Sequence, residues 1–346
     1  MKKALTFTIV ILSCIQINAQ TLTGVVYDKA TKQSIPGAYV YLDGTSIVNV
    51  TDNSGKFTLA VKQMINTKLV LRHLVYNTII IENPFVHLPD TIYMEEQMNI
   101  LSEVTVRADP LFSRRQNLRA FREQFLGMTQ AGRSCRIANE DDIQIWFNVA
   151  TKTLFAYSDK PIEVINEYLG YKIFFELVDF RTEYSSITLD RDKVQQSYFA
   201  VTTLFTDLRP NDVRTKRRRD SVYEASSTLF FRNLSNNTLN ESGFKIHKGG
   251  FQIDPNIYFT IEDTLSLKMI RLIPERANIS SNIGLYTPPL STFSVSFNRR
   301  QTDIRFHTNS LLVDQYGNID KIDKIVFLGA MGQNRAGDLL PIDYEP

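Results

Sequence analysis

Between residues 21 and 107 the chain consists of short strand-like runs separated by turn residues. Val25-Val26-Tyr27 and Tyr39-Val40-Tyr41-Leu42 are two of these runs, with side chains expected to alternate between the two faces of a sheet. Asp52-Asn53-Ser54-Gly55 supplies residues that tolerate positive φ, and the pattern restarts at Phe57. Strands punctuated in this way predict a small antiparallel β-sandwich.

Residues 108–346 combine helical and strand periodicities. One helix is predicted at about 113–126, with arginines outward, and another at about 212–234, with Asp212 as N-cap. Their buried stripes are Leu118, Phe121 and Phe125 in the first helix, and Tyr223, Phe230 and Leu234 in the second. Strands are predicted around residues 143–147, 154–155, 173–175, 257–261, 265–269 and 293–297, with hairpin turns at 150–152 and 262–264 and a loop at Gly249-Gly250. This mixture predicts an α+β domain.

The first nineteen residues have the pattern of a secretion signal. Lys2 and Lys3 precede an apolar run at residues 4–12, and the small residue Ala19 stands before Gln20. The run is too short for a membrane-spanning helix, which needs about 20 apolar residues. We therefore expect export and a mature chain that starts at Gln20, with lipid attachment at Cys14 as the alternative.

Composition is that of an ordinary globular chain: 346 residues, 43% hydrophobic, 22% charged and a formal net charge of +2. After cleavage at Gln20, Cys135 would be the only cysteine, so no intramolecular disulfide is expected. We interpret Cys135 as a small buried apolar residue, and the stability of the fold must then come from burial.

The N-terminal pattern resembles the carboxypeptidase-like regulatory domain, a transthyretin-like seven-stranded β-sandwich found in envelope proteins of Bacteroidetes-type bacteria. The matching residues are Gly24, Val26, Asp28, Ile35-Pro36-Gly37-Ala38, Val40, Gly44-Thr45, Thr51-Asp52, Gly55 and Phe57, with residues 101–106 similar to its closing strand. The resemblance implies a sandwich at residues 20–107 and a separate α+β domain at 108–346.

In metallocarboxypeptidases the same module accompanies a zinc domain, but the histidines of this chain do not fit one. None of His73, His87, His247 and His307 begins the His-x-x-Glu pair that holds zinc in those enzymes. We predict no metal and no cofactor. Asp28 and Asp52 enter turns, where carboxylates usually accept backbone N–H bonds.

The sandwich also precedes TonB-dependent receptors, but the remainder of this chain is too short for such a receptor. Residues 108–346 resemble instead a Bacteroidetes family in which the sandwich is fused to a region of no established activity. The similar segments are 117–127, 135–139, 170–173 and 176–180, then Gly329, Arg335-Ala336, Leu339-Leu340-Pro341 and Asp343-Tyr344. That resemblance implies an envelope location and a shared fold, without a mechanism.

The strongest charge feature is the basic run at residues 214–219. Export removes nucleic acid as its partner, and basic residues at a helix start oppose the helix dipole. The hypothesis is contact with anionic envelope groups, such as an outer-membrane glycolipid, and hence peripheral membrane association. The residues assigned to this surface are Arg214, Lys216, Arg217, Arg218 and Arg219.

Catalytic motifs are sparse. The carboxylates of Glu140-Asp141-Asp142, and those of Glu176 and Asp179, are candidate pairs for glycoside chemistry, although acids at strand entries are usually solvated. The sequence therefore predicts a non-enzymatic envelope protein that acts in binding or assembly through an envelope protein or glycan. The alternatives are an accessory of a TonB-dependent uptake system, which could pair through an exposed sheet edge, and a glycan or peptide hydrolase.

Overall fold

The computed structural model describes residues 20–97, 110–224, 226–264, 266–273 and 289–346. The predicted signal segment, the predicted strand at 101–106 and Leu265 lie outside the described residues. Across those ranges, no helix is long and apolar enough to cross a membrane.

The N-terminal unit is a sandwich of two sheets with seven described strands. The strands are β1 (Gln20–Asp28), β2 (Tyr39–Leu42), β3 (Val48–Val50), β4 (Lys56–Val61), β5 (Leu69–His73), β6 (Tyr76–Ile81) and β7 (Thr91–Met94). One sheet has the order β4-β1-β7 and the other β3-β2-β5-β6, and their inner faces enclose a core that includes Val26, Val40 and Leu59. The predicted β-sandwich is therefore confirmed.

The predicted turns of the sandwich form with the expected chemistry. Asp52 accepts hydrogen bonds from the backbone N–H groups of Ser54 (2.8 Å) and Lys56 (3.0 Å), and Gly55 has φ +74°. Asp28 accepts from the N–H groups of Ala30 and Thr31. The Thr31 N–H bond is the main reason why the pKa of Asp28 lies below its ordinary value, so these two acids stabilise turns.

The middle part of the chain forms one helix-covered sheet. Its elements are α1 (Arg114–Phe125), α2 (Gln130–Arg133), β8 (Cys135–Ile137), β9 (Gln144–Asn148), β10 (Thr153–Tyr157), β11 (Ile162–Asn166), β12 (Tyr171–Tyr184) and β13 (Val194–Asp207). The sheet order is β8-β11-β12-β10-β9, and β13 pairs along the other side of β12. Helix α1 packs on the inner face through Phe121, 4.8 Å from Phe180, and Phe125, 5.2 Å from Phe175 (ring centroids). The first predicted helix is confirmed, with Ser113 as its N-cap.

The last part has a separate core, so the region after 107 contains two hydrophobic clusters. Helix α3 (Val213–Tyr223) packs against the middle core through Val222. The elements of the last part are α4 (Ser227–Ser235), β14 (Lys245–Lys248), β15 (Phe251–Gln252), β16 (Phe259–Thr264), β17 (Leu267–Leu272), β18 (Ser291–Phe297), β19 (Arg300–Phe306), β20 (Ser310–Val313) and β21 (Ile325–Gly329). The sheets β15-β14-β18-β19-β21 and β16-β17-β20 share this core with Phe230 and Phe231 of α4. The predicted α+β character is confirmed.

Two local predictions were wrong. The helix expected at 212–234 is two helices, because Glu224 ends α3 and the Ser226 side chain caps α4 by accepting from the N–H of Leu229 at 3.1 Å. Residues 262–264, expected as a turn, lie in β16, where Thr264 pairs with Leu267. The hairpin therefore turns two residues later than the charged residues suggested.

A β-bulge in β12 decides which of its side chains face outward. Before the bulge Ile173, Phe175 and Leu177 face the core, whereas after it Phe180 and Thr182 do. The register against β13 shifts between Leu177 and Asp179, so one extra residue reverses the alternation. The outward set is Phe174, Glu176, Asp179, Arg181 and Glu183.

The sandwich covers the first half of this outer face. Tyr41 and Val70 of the sandwich pack on Leu204 and Phe174, and Glu176 accepts a hydrogen bond from Thr78 at 2.7 Å. The turn after β2 runs beside β13, where the N–H of Gly44 donates to the carbonyl of Thr203 (2.8 Å) and that of Phe205 to Thr45 (2.9 Å). The two units are therefore docked by apolar contact and by backbone pairing.

Asp43 lies at this contact and accepts a hydrogen bond from the N–H of Thr203 at 2.7 Å. Burial raises the pKa of Asp43 to about 6, although the hydrogen bonds from Thr203 act to lower that pKa. A carboxyl with a raised pKa binds protons more tightly in the folded state, so its contribution to stability increases as the pH falls from above 6 towards its unfolded pKa.

We expect Asp43→Asn to be more stable than the wild type at about pH 8, on the order of 2 kcal/mol, because asparagine keeps an acceptor for Thr203 without the buried charge. The difference should shrink at about pH 5, where Asp43 is protonated. Urea unfolding of both proteins at the two pH values measures this. Equal stability at both values would contradict the expectation.

Candidate functional site

The second half of the outer face of the middle sheet is not covered by another layer of the described residues. We call it the open face, and its centre is a row of side chains paired across four strands. The register places Trp146 of β9 opposite Phe155 of β10, Phe155 opposite Arg181 of β12, and Arg181 opposite Tyr198 of β13. These four residues form what we call the aromatic row.

The row is exposed and ordered by contacts along it. The rings of Trp146 and Phe155 stack with centroids 5.6 Å apart and an interplanar angle of 19°. The guanidinium of Arg181 lies 4.8 Å from the ring centroid of Tyr198 and donates to Asp179 at 3.1 Å. Trp146 is 46% exposed and Tyr198 42%. The row presents ring surface to solvent, and contacts with neighbours restrict each side chain. Less rotamer entropy is therefore lost when a ligand binds to the row.

Polar side chains border the row. Gln144 and Tyr157 are opposite each other on one side, and Glu183 and Gln196 on the other. The hydroxyl of Tyr157, a residue that is 46% exposed, donates to Asp159. The open face thus combines aromatic rings with planar groups that can donate or accept hydrogen bonds. Rings of this kind bind apolar surfaces, and the bordering groups can orient them.

The structure corrects the predicted anionic-binding surface at α3. Arg219 is 5% exposed, and its guanidinium donates to Asp207 (2.7 and 2.8 Å) and to the carbonyls of Leu169 and Gly170. Burial acts to raise the pKa of Asp207, but the bonds from Arg219 outweigh it and hold that pKa below the ordinary value. Arg219 is therefore a structural ion-pair residue and does not belong to a binding surface.

The other four basic residues of the run differ in their exposure and in their contacts. Arg218 is half-buried and lies over the ring of Tyr168 at 4.6 Å, while Lys216 pairs with Asp220 at 3.3 Å. Arg214 and Arg217 are exposed on the same helix. The exposed basic set consists of Arg214, Lys216 and Arg217.

The candidate acids do not converge. Glu140 pairs with Arg122, and Asp142 pairs with Lys160 at 2.8 Å. Glu176 is held at the contact with the sandwich by Thr78, whereas Asp179 binds Arg181 on the open face. Each of these four carboxylates has its own partner, so neither predicted pair forms an acid–base site in the described residues.

The histidines are dispersed as well. His73 and His87 lie in the sandwich, His247 is in β14, and His307 follows β19. Among the described residues, no group of three or more histidine, cysteine or acidic side chains is arranged to hold a metal ion.

Cys135 is half-buried, and its thiol donates to the carbonyl of Ala131 at 3.3 Å. Burial, followed by the charge of Asp338, raises the pKa of this thiol to about 12. The group stays protonated at neutral pH, which fits the structural role expected from the sequence.

A groove of about 710 Å³ lies between α1 and residues 188–193. Four of its charged lining residues form pairs, Arg119 with Glu123 at 3.1 Å and Arg191 with Asp192 at 3.9 Å.

The N-terminal unit defines a class of small β-sandwich modules. A family model described as the CarboxypepD_reg-like domain matches residues 22–106, and this part of the chain is such a domain. The resemblance inferred from Gly24 to Phe57 is thereby confirmed. No curated protein matches the chain at a significant level.

Sequence reasoning missed the aromatic row. Trp146 is the single tryptophan of the chain, and it alternates with Ile145 and Phe147, so both faces of β9 are apolar or aromatic. A strand of this kind either is covered on both faces or exposes aromatic residues. The pairing of Trp146 with residues of three other strands was not accessible without the register.

Proposed function

We propose that the protein is a non-enzymatic binding protein of the cell envelope and that the open face is its binding site. The observation that carries this proposal is the aromatic row, because exposed tryptophan, tyrosine and arginine side chains are the residue types that contribute most to binding energy. The sandwich fixes the other half of the same sheet face and so acts as a rigid support.

The proposed location rests on the secretion pattern before Gln20 and on the match to the CarboxypepD_reg-like domain. Export to the periplasm or the outer membrane of a Bacteroidetes-type bacterium agrees with both features. An accessory role beside a TonB-dependent transporter is the alternative within this proposal. The exposed residues Arg214, Lys216 and Arg217 would add attraction to anionic envelope groups.

The binding site can be tested with an envelope fraction of the producing bacterium. The mature chain should sediment with this fraction, and Trp146→Ala should weaken the association by about tenfold, since truncation of a central aromatic side chain commonly removes more than 1 kcal/mol. The matched control is Phe251→Ala, because Phe251 is an aromatic residue in a different sheet and is 78% exposed.

Co-sedimentation over a range of protein concentrations measures both affinities. Circular dichroism and urea unfolding of each variant verify that the fold is retained. Equal binding by the Trp146→Ala variant and the wild type would refute the open face as the site.

A further inference from the structure

The structure points to an extended, uncharged polysaccharide chain as the ligand of the open face, and this is our own proposal. It rests on the proposed function and specifies the chemistry of the ligand. Three properties of the face lead to it: the shape of the row, its charge and the kind of groups around it.

The aromatic row runs from one edge of the sheet to the other. In the middle sheet β9 is an edge strand, and β13 pairs only with β12 among the named strands, so both ends of the row reach a margin of the sheet. Four strands at a spacing of about 4.8 Å give the row a length of about 14 Å. An open-ended row of this length fits an internal stretch of a linear polymer better than a compact small molecule, which needs an enclosed cavity.

The charge of the face disfavours a polyanion. Arg181 is the guanidinium in the row, and its charge is matched by Asp179 at 3.1 Å. Glu183 adds a further carboxylate beside Arg181, opposite Gln196 in the register. Carboxylates on the open face therefore outnumber cations, and a phosphorylated or acidic glycan would be repelled there.

The chemistry of the side chains matches sugar rings. A pyranose ring has apolar C–H faces and a rim of hydroxyl groups, so it can lie on an aromatic ring while its rim forms hydrogen bonds. Trp146 and Tyr198 provide the ring surfaces, each more than two-fifths exposed. Arg181 has more N–H donors than Asp179 can accept, and Gln144 and Gln196 can both donate and accept.

A protein partner would also use aromatic and arginine side chains, but protein hot spots lie in closely packed pockets. In the row, by contrast, Trp146, Arg181 and Tyr198 are exposed and Phe155 is partly buried, and polar groups border it. A neutral glycan, with its many hydroxyls and modest need for an enclosed site, is the better fit to these observations.

Native affinity electrophoresis of the full mature chain tests the proposal. The gels contain neutral polysaccharides with α- or β-linked glucose, mannose or xylose backbones, and a parallel gel contains polygalacturonate as an acidic polymer. We expect at least one neutral polymer to retard the wild type and the Phe251→Ala control equally. The Trp146→Ala and Tyr198→Ala variants should bind about tenfold more weakly.

Other outcomes overturn the inference. These are the absence of retardation by every neutral polymer, retardation by polygalacturonate alone, or retardation that Trp146→Ala leaves unchanged. Concentration-dependent dimerisation that is lost in Trp146→Ala, measured by light scattering, would assign the face to a second copy of the chain.

An incorrect glycan assignment and an incorrect binding site would give different experimental results. If Trp146→Ala weakens sedimentation with the envelope fraction while no polysaccharide binds, the open face is a binding site for something other than a neutral glycan. If protease treatment of the envelope fraction abolishes the association, that ligand is a protein.

Discussion

Replacing Arg219 with alanine is expected to lower the free energy of unfolding by about 3 kcal/mol, because removing one partner of a buried ion pair leaves the other without compensation. The side chain of Arg219 is 7% exposed and that of Asp207 31%, so the remaining carboxylate would be only partly solvated. The substitution also leaves the carbonyls of Leu169 and Gly170 without their guanidinium donors and removes the contact at 3.9 Å with the ring of Tyr171.

The matched control is Arg217→Ala in the same helix. Arg217 is exposed, and surface substitutions away from special features usually change stability by less than about 0.5 kcal/mol. Arg219→Lys should be intermediate, because an ammonium cannot reproduce the planar fork that reaches Asp207 and two carbonyls. Urea unfolding of the three variants measures these differences, and similar midpoints for Arg217→Ala and Arg219→Ala would contradict the structural assignment.

The basic run shows what sequence alone could and could not predict. Its position at the start of a helix was correct, and Asp212 caps that helix by accepting from the N–H of Thr215 at 2.9 Å. The division of its arginines between surface and interior depends on Asp207 and Tyr171, which belong to β13 and β12. A run of like charges gives no information on a partner that is distant in sequence.

The sequence predicted the structure correctly where a single turn, helix start or hairpin is concerned. The turn at Gly55 and the start of α1 near Ser113 follow from the residues themselves, and the hairpin of β9 and β10 turns at the predicted residues 150–152. The sequence prediction was wrong where α3 and α4 meet. The apolar spacing continues from Tyr223 to Phe230, but the two residues pack in different places, and a capping serine separates them.

The bulge in β12 corresponds to a change in the alternation of buried positions along the sequence. The buried positions are odd-numbered up to Leu177 and even-numbered from Phe180, so the phase of the alternation changes between them. The same change brings Arg181 to the outer face, opposite Phe155 and Tyr198. If the strand continued through these residues without a bulge, Phe180 would face outward in its place, and the open face would lose its polar centre.

Residues near the end of the sequence connect the cores of the sandwich and of the middle part with the last unit. We call residues 335–344 the strap. Ala336, Leu339 and Leu340 pack in the middle core, and Ile342 packs on the core of the sandwich. The N–H of Ile342 donates to the carbonyl of Gly44 at 2.8 Å, and its carbonyl accepts from Asn318 of the last unit at 2.9 Å. The hydroxyl of Tyr344 donates to Asp220 of α3 at 2.6 Å.

The strap contains the residues that resemble the closing pattern of a sandwich-fused family, and that resemblance stays a prediction. Its residues Ala336, Leu339 and Leu340 contact the middle core, and Tyr344 contacts α3. Gly337 allows the close crossing, since a Cβ there would lie 2.5 Å from the carbonyl oxygen of Leu126 and 2.6 Å from Cα of Gly132.

Removing residues 335–346 should therefore have the largest effect on the fold. The truncation exposes apolar surface in two cores and removes the acceptor Asp338, which binds Thr129 at 2.5 Å. Ala336 is buried, and Leu339, Leu340 and Ile342 are partly buried. Their loss, at about 1–2 kcal/mol for each of the three larger side chains, together with the lost hydrogen bonds, is a large fraction of the stability of a typical domain. We expect the truncated chain to be largely insoluble or to unfold without cooperativity.

The control is removal of Glu345 and Pro346 alone, which are exposed and should leave the midpoint of thermal unfolding unchanged. Gly44→Ala provides a milder probe of the same junction, because Gly44 has φ +79° and a Cβ there would lie 2.9 Å from Cγ2 of Ile342. A loss of about 1–3 kcal/mol is expected for this strained position. If the chain lacking residues 335–346 unfolded at the same urea concentration as the full chain, the strap would not hold the units together. The rigid support assigned to the open face would then have to come from the contact at Tyr41 and Glu176 and from the backbone pairing of Gly44 and Thr45 with β13.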